Sequence, residues 1–216
     1  MRPLTDTTPK PLIMAGRRRL IEHHLYHLAR AGFSDVVINV AWLGQQIMHT
    51  LGNGEKYHLN IAYCDEGDKA LETGGGIFNA LPLLGDTFLV VNGDVWTDYP
   101  FERLGDRLGE RLGGMDVQDK AHLVLVNNPE HNPQGDFALC EGRLSDAVSE
   151  KYTYSGIGLY TRAFFEAADN TAFPLAPMIR AYISENKIGG ELYQGRWMDI
   201  GTQQRLDELV EHLGCS

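Results

Sequence analysis

The feature that most constrains this chain is an alternation, from residue 20 to residue 91, of helical apolar stripes with short β-branched runs. Over 20–31 the apolar side chains fall at Leu20, Ile21, Leu25, Leu28 and Ala29, one face of a helix that Gly32 stops. Asp35-Val36-Val37-Ile38-Asn39-Val40 then reads as a strand buried on both faces. A short helix over 43–51, ended by Gly52-Asn53-Gly54, leads to a strand over 59–63. A loop rich in glycine and charge follows, then a helix over 75–81 and a third buried strand over 87–91. Strands separated by helices at this spacing predict an α/β fold: a doubly wound, Rossmann-like, mostly parallel sheet with helices on both faces.

The second half changes character. Residues 121–126 read as a strand, whereas 137–139 and 154–160 alternate and are separated by turn-rich segments. Residues 176–183 and 203–213 look helical, the latter with Leu206, Leu209, Val210 and Leu213 on one face and Thr202 as N-cap. No repeat and no Pro/Ser-rich linker divides the chain. The expectation is one domain over 1–216 with a small β-rich insertion.

Composition narrows the function. Asp plus Glu number 29 against 19 Lys plus Arg, a net charge of −10, which argues against binding a nucleic-acid backbone. Cys64, Cys140 and Cys215 are odd in number and scattered, so no disulfide framework or zinc site is expected and a reduced cytoplasmic setting fits. Residues 1–6 contain no signal-peptide core, and no apolar run is long enough to span a membrane. Arg17-Arg18-Arg19 reads as a solvated loop.

Parallel α/β sheets bind ligands beyond the carboxyl ends of their strands. Just past the 87–91 strand stand Asn92-Gly93-Asp94, where a carboxylate beside a glycine suits a hard cation or merely makes a turn. Glu72-Thr73-Gly74-Gly75-Gly76 opens a helix whose N–H groups suit an anion or polar ring atoms; a flexible connection is the ordinary alternative. Lys10 lies between Pro9 and Pro11, a rigid mount for a phosphate clamp or an ordinary surface lysine. His23 and His27 are four apart on a helix, but His24 lies between them and packing is the better reading. Trp197-Met198-Asp199-Ile200-Gly201-Thr202 puts a second carboxylate in a short strand before a capped helix, 105 residues beyond Asp94.

In combination these segments resemble the sugar-1-phosphate nucleotidyltransferases. Met1-Arg2-Pro3-Leu4-Thr5 and Pro9-Lys10-Pro11-Leu12 match the second half of that family's opening motif. Leu71-Glu72-Thr73-Gly74-Gly75 looks like its base-contacting loop, Asn92-Gly93-Asp94 like one metal-binding strand end, and 197–202 like the other. Asn39-Val40-Ala41-Trp42-Leu43-Gly44-Gln45-Gln46-Ile47 and residues 92–98 most resemble the N-acetylmuramate 1-phosphate uridylyltransferases of cell-wall recycling, with mannose-1-phosphate guanylyltransferases also similar.

The resemblance implies the nucleotide-diphospho-sugar transferase fold, with residues 1–120 the nucleotide-binding half and 121–216 the sugar-binding half. It implies in-line attack of a sugar 1-phosphate on the α-phosphorus of a nucleoside triphosphate, UTP by the closer resemblance, with release of pyrophosphate. Asp94 and Asp199 would hold Mg²⁺ and Lys10 would offset phosphate charge. Leu71, Glu72, Thr73, Gly74, Gly75 and Asn92 would meet the nucleotide, and Gly135, Asp136, Glu150, Ser155 and Gly156 the sugar. The family's first strand, its G-x-G loop and its arginine precede the position of Met1. The 216-residue chain is therefore expected to be nearly inactive and less stable than its relatives, with a non-catalytic sugar-nucleotide-binding protein as the alternative.

Overall fold

A computed structural model describes residues 1–67, 71–109, 118–146, 150–169 and 171–214. Cys215 lies outside them. In chain order the first half contains β1 (Met14–Ala15), β2 (Arg18–Arg19), α1 (Leu20–Arg30), β3 (Asp35–Val40), α2 (Gly44–Leu51), β4 (Asn60–Asp65), α3 (Glu72–Ala80), β5 (Thr87–Val91), β6 (Val95–Thr97) and α4 (Glu102–Gly109). The second contains β7 (Ala121–Val126), β8 (Phe137–Cys140), β9 (Arg143–Ser145), β10 (Lys151–Thr161), α5 (Leu175–Ser184), β11 (Ile188–Tyr193), β12 (Trp197–Asp199) and α6 (Gln203–Gly214). These elements sort into two compact units, each assembled from separate stretches of chain.

The first unit comprises Met1–Ala70, Gly93–Glu102 and Arg196–Ser216. Its α1 buries the expected stripe of Leu20, Ile21, Leu25 and Leu28. It ends where Gly32 takes φ +87° and the Phe33 N–H reaches back to the Leu28 carbonyl at 3.1 Å, a left-handed C-terminal turn. At its start the Arg19 N–H donates to Glu22, whose carboxylate also accepts from the Tyr57 hydroxyl at 2.7 Å. Burial pushes the Glu22 carboxyl up, but these hydrogen bonds and Lys56 outweigh it and hold the group below its ordinary value.

Strands β3 and β4 pair in parallel from Asp35↔Asn60 to Val40↔Asp65 and pack on Leu12, Ile21, Leu25, Ile47, Leu51 and Tyr57. In β3 only Ile38 and Val40 are buried, not the whole run, because among the described residues it has β4 as its one strand partner. The arginine triplet is likewise not a plain loop: Arg18 and Arg19 form β2, which folds back on β1 around Gly16 at φ +68°.

The second unit comprises Leu71–Asn92 and Arg103–Gly195. Its sheet runs β5-β10-β7-β11-β9-β8. The parallel relation holds between β7 and β11, while β10 runs antiparallel between β5 and β7. All six residues of β7 are buried, as a central strand requires. Strand β10 does not alternate as expected but is buried from Ser155 to Tyr160, because it too is interior. The core gathers Leu123, Leu125, Phe137, Tyr160, Phe164, Phe165 and Ile179. Helix α3 begins at Glu72, three residues earlier than expected, so Glu72, Thr73 and Gly74 form its first turn. No helix among the described residues is long and apolar enough to cross a membrane.

Candidate active site

Two groups of the expected residues assemble, one in each unit. In the first unit, Lys10 opens a single helical turn, Lys10–Leu12, closed by hydrogen bonds from Leu12 to Pro9 and from Ile13 to Lys10. The prolines on either side restrict this turn, and the Lys10 ammonium donates to Asp94 Oδ2 at 2.9 Å. Asp94 directly precedes β6, and β6 pairs with β12 so that Asp199 stands opposite Val95. The Ile200 N–H donates to the Asp94 carbonyl at 2.7 Å. Residues 105 apart in the chain are thus neighbours on paired strands. The far end of this pair is closed by Arg196, whose N–H donates to Asp98 at 2.8 Å and whose carbonyl accepts from Thr97.

Two further residues at this site were not singled out by motif reading. Arg205, in the first turn of α6, pairs its Nη1 with Asp199 Oδ1. Thr202 caps that helix as expected, accepting the Arg205 N–H at 3.2 Å. The spacing Asp199-x₅-Arg205 was the signal available, but nothing local says that the arginine folds back. The second is His24 on α1. Its ring donates from Nε2 to the Val95 carbonyl at 2.7 Å, which fixes the proton on that nitrogen. Burial drives the His24 pKa down to about 4, against smaller upward pulls from that carbonyl and from Asp94. His23, also buried, donates to the Ala15 carbonyl at 2.9 Å, and burial lowers its pKa too. The histidines of α1 therefore pack and brace rather than ligate.

Each carboxylate has its own cation, Lys10 at Asp94 and Arg205 at Asp199, and both are partly exposed. Among the described residues no group of three or more His, Cys, Asp or Glu is poised around one point. Two hard carboxylates on a rigid strand pair nevertheless suit Mg²⁺, which usually takes one or two protein carboxylates and completes its shell with phosphate oxygens and water.

In the second unit, Asn92 donates its N–H to the Gly156 carbonyl at 2.9 Å. Gly156 has φ +76° within an irregularity of β10, and a Cβ there would lie 2.6 Å from Asn92 Nδ2. Ser155 is wholly buried, its hydroxyl donating to the Val124 carbonyl and accepting from the Ile157 N–H. Gly135, at φ +63°, has no room for a side chain against Lys151. Asp136 accepts from the Tyr154 N–H at 2.8 Å and from Asn132, which also donates to Thr153. Asn128 joins that network through Thr153 and the Lys151 carbonyl. The network escaped sequence reading because Asn128 and Asn132, each followed by proline, look like ordinary turn residues. Glu150 is exposed and lies beside the Tyr152 hydroxyl. Leu71 precedes α3, and the glycine N–H groups expected to be open are used within the unit: Gly74 and Gly75 both donate to the Phe173 carbonyl. A Cβ on Gly74 would meet the Phe173 ring at 2.3 Å, so close packing accounts for that glycine.

Comparison with known proteins gives the family and the fold. The sequence model of the nucleotidyl transferase family matches residues 1–118. A Neisseria meningitidis protein named N-acetylmuramate alpha-1-phosphate uridylyltransferase is 45% identical over 223 residues, covering 100% of this chain and 94% of its own length. A Debaryomyces hansenii mannose-1-phosphate guanyltransferase is 39% identical over 220 residues, covering 93% of this chain and 58% of its own length. Among solved structures, a Bacillus anthracis protein provisionally assigned as a glucose-1-phosphate thymidylyltransferase superposes with a TM-score of 0.84 at 18% identity, over 98% of this chain and 89% of that one. That likeness establishes the α/β fold of the nucleotide-diphospho-sugar transferases. With family match, full-length relative and fold in agreement, this chain belongs to the nucleotidyl transferase family and is an enzyme of nucleotidyl transfer.

Proposed function

We propose that the enzyme transfers the uridylyl group of UTP to N-acetylmuramate 1-phosphate and releases pyrophosphate, in the cytoplasm, as a step of cell-wall recycling. The observation that supports this reading is the β6–β12 pairing, with Asp199 opposite Val95 and the Asp94 carbonyl bonded to the Ile200 N–H, and with a basic side chain at each carboxylate. The choice of UTP and of the sugar follows the full-length Neisseria relative. An oxygen of the sugar 1-phosphate attacks the α-phosphorus in line, so the protein's task is positioning and neutralising charge.

Asp94 and Asp199 would hold Mg²⁺, which would supply positive charge to offset that of the reacting phosphates. Lys10, held by its two prolines, leaves Asp94 for the phosphates as a compact point charge. The strand pair and the His24 brace behind it keep the two carboxylates fixed while this exchange takes place. Leu71, Glu72, Thr73 and Asn92 would form the nucleotide side, with Gly74 and Gly75 holding that loop in place through the Phe173 carbonyl. Gly135, Asp136, Glu150, Ser155 and Gly156 would form the sugar side, where Asp136 holds the Tyr154 N–H and Ser155 the Ile157 N–H on either side of Gly156.

The test is pyrophosphate release by the full chain with UTP and GTP, each against N-acetylmuramate 1-phosphate and mannose 1-phosphate. The expected result is the highest kcat/KM for UTP with N-acetylmuramate 1-phosphate, because mismatched hydrogen-bonding groups on the wrong base are left unpaired. The second reading, a mannose-1-phosphate guanylyltransferase, is favoured by the Debaryomyces relative, and preference for GTP would establish it. No release with any of these pairs would overturn both readings of the base and the sugar.

A further inference from the structure

Two adjacent histidines of α1 reach two different segments of the site. His23 and His24 are consecutive, so their side chains leave the helix about 100° apart. His23 donates from Nε2 to the Ala15 carbonyl at 2.9 Å, and His24 from Nε2 to the Val95 carbonyl at 2.7 Å. Both rings are buried and pack edge-on against an aromatic neighbour, Trp96 at 6.5 Å and Phe101 at 6.4 Å. Burial lowers both pKa values, so at neutral pH each ring has one N–H to give. Ala15 ends β1, and the chain before it is tied back twice: Leu20 donates to the Ile13 carbonyl at 2.9 Å, and Ile13 to the Lys10 carbonyl at 3.1 Å. Val95 directly follows Asp94. One helix therefore grips both the segment that carries the Lys10 ammonium and the strand that follows the Asp94 carboxylate. The 2.9 Å contact between those two groups is partly exposed, and such a pair contributes too little to set the position of either segment.

We propose that His23 and His24 form a positioning pair that fixes the spacing between Lys10 and Asp94. This rests on the reading of Lys10 and Asp94 as charged groups of the site. Past its first turn a helix uses its own N–H groups, so α1 can donate to carbonyls on neighbouring segments only through side chains. An imidazole does so from a short stem, with far less freedom to lose than a lysine or arginine. With the ammonium and the carboxylate held at one separation, incoming phosphates meet both together. A displacement of about 1 Å is enough to cost on the order of 10²-fold in rate. The two rings act through the Ala15 and Val95 carbonyls, and are positioning residues.

Competitive acetylation of the full chain, read by mass spectrometry at Lys10 with Lys120 and Lys187 as internal references, measures how firmly Asp94 holds the ammonium. Asp94→Asn calibrates the released state. His23→Leu and His24→Leu, which remove the donors, should each raise the Lys10 rate about threefold, the scale of one exposed ion pair, and leave the reference lysines unchanged. His23→Gln and His24→Gln keep an N–H donor at similar reach and should restore the slow rate. In parallel, kcat per folded molecule with the preferred substrate pair should fall about ten- to hundredfold in the Leu variants, with KM moving less, and recover in the Gln variants. Lower stability in urea with an unchanged Lys10 rate in both Leu variants would make the rings merely structural and overturn the proposal. If Lys10→Met and Asp94→Asn both leave turnover intact, the reading of the site itself fails and the proposal falls with it.

Discussion

Both units pair a carboxylate with a basic side chain, and burial gives the pairs opposite uses. In the second unit Asp119 is buried, and Arg143 Nη1 reaches both of its oxygens, at 2.6 and 2.8 Å. Arg143 is further tied to the Asn186 carbonyl, so the pair is fixed from both sides. In the first unit the Asp94 side chain is 50% exposed and meets Lys10 through a single 2.9 Å contact, on a strand pair three residues long. A pair taken out of water cannot lose one partner without stranding a charge, whereas a wet pair exchanges partners at little expense. One arrangement suits a scaffold and the other a site that must accept ions and phosphates.

The sharpest way to break that contrast is to neutralise the wet carboxylates. Asp94→Asn and Asp199→Asn should each lower kcat on the order of 10²–10³-fold or more, the scale for losing one preorganised charge-stabilising group. Stability should move by no more than about 1 kcal/mol, since exposed pairs contribute little. Magnesium-dependent turnover surviving in both variants would remove them from the site.

The buried pair should respond in the opposite sense. Asp119→Ala should lose about 2 kcal/mol of unfolding free energy in urea, the scale for hydrogen bonds to a charged group, because Arg143 loses its main partner. Turnover per folded molecule should be unchanged. A loss below about 1 kcal/mol would show this pair to be no different from a surface one.

His24 probes the boundary between the two behaviours, a buried titratable group that braces the wet strand pair. Its pKa falls from 6.5 in the open chain to about 4 when folded, so below pH 6.5 the unfolded chain takes up a proton that the folded one refuses. The stability it contributes is full above pH 6.5 and declines as pH falls toward 4, by about 2 kcal/mol at pH 5. Burial lowers His23 and His27 in the same direction. Urea unfolding at pH 7 and pH 5 checks this, and His24→Gln should flatten part of the slope. An equal slope in that variant would mean the ring is not held neutral.

Much of the fold was legible in advance, and for local reasons. The stripe of α1, its Gly32 stop, the Thr202 cap and the positions of β3, β5 and β7 are set by residues within about ten positions of one another. The burial expected of β3 and β5 is not: among the described residues β5 is an edge strand in which only Phe88 is buried. Glycines were less transparent. Gly74 and Gly75 looked like open phosphate or base contacts, yet their smallness and their N–H groups serve Phe173, a hundred residues away in the chain.

The sequence by itself determined the α/β class, the segments that carry Lys10, Asp94 and Asp199, and the acidic oxygen chemistry suited to a hard cation. Only the tertiary structure decided that Asp94 and Asp199 share one strand pair, that Arg205 turns back onto Asp199, and that His24 stands neutral beneath Val95. The reason is one of range. Periodicity and capping are settled by neighbours along the chain, whereas strand pairing, ion pairing and desolvation depend on which distant residues the whole fold brings alongside.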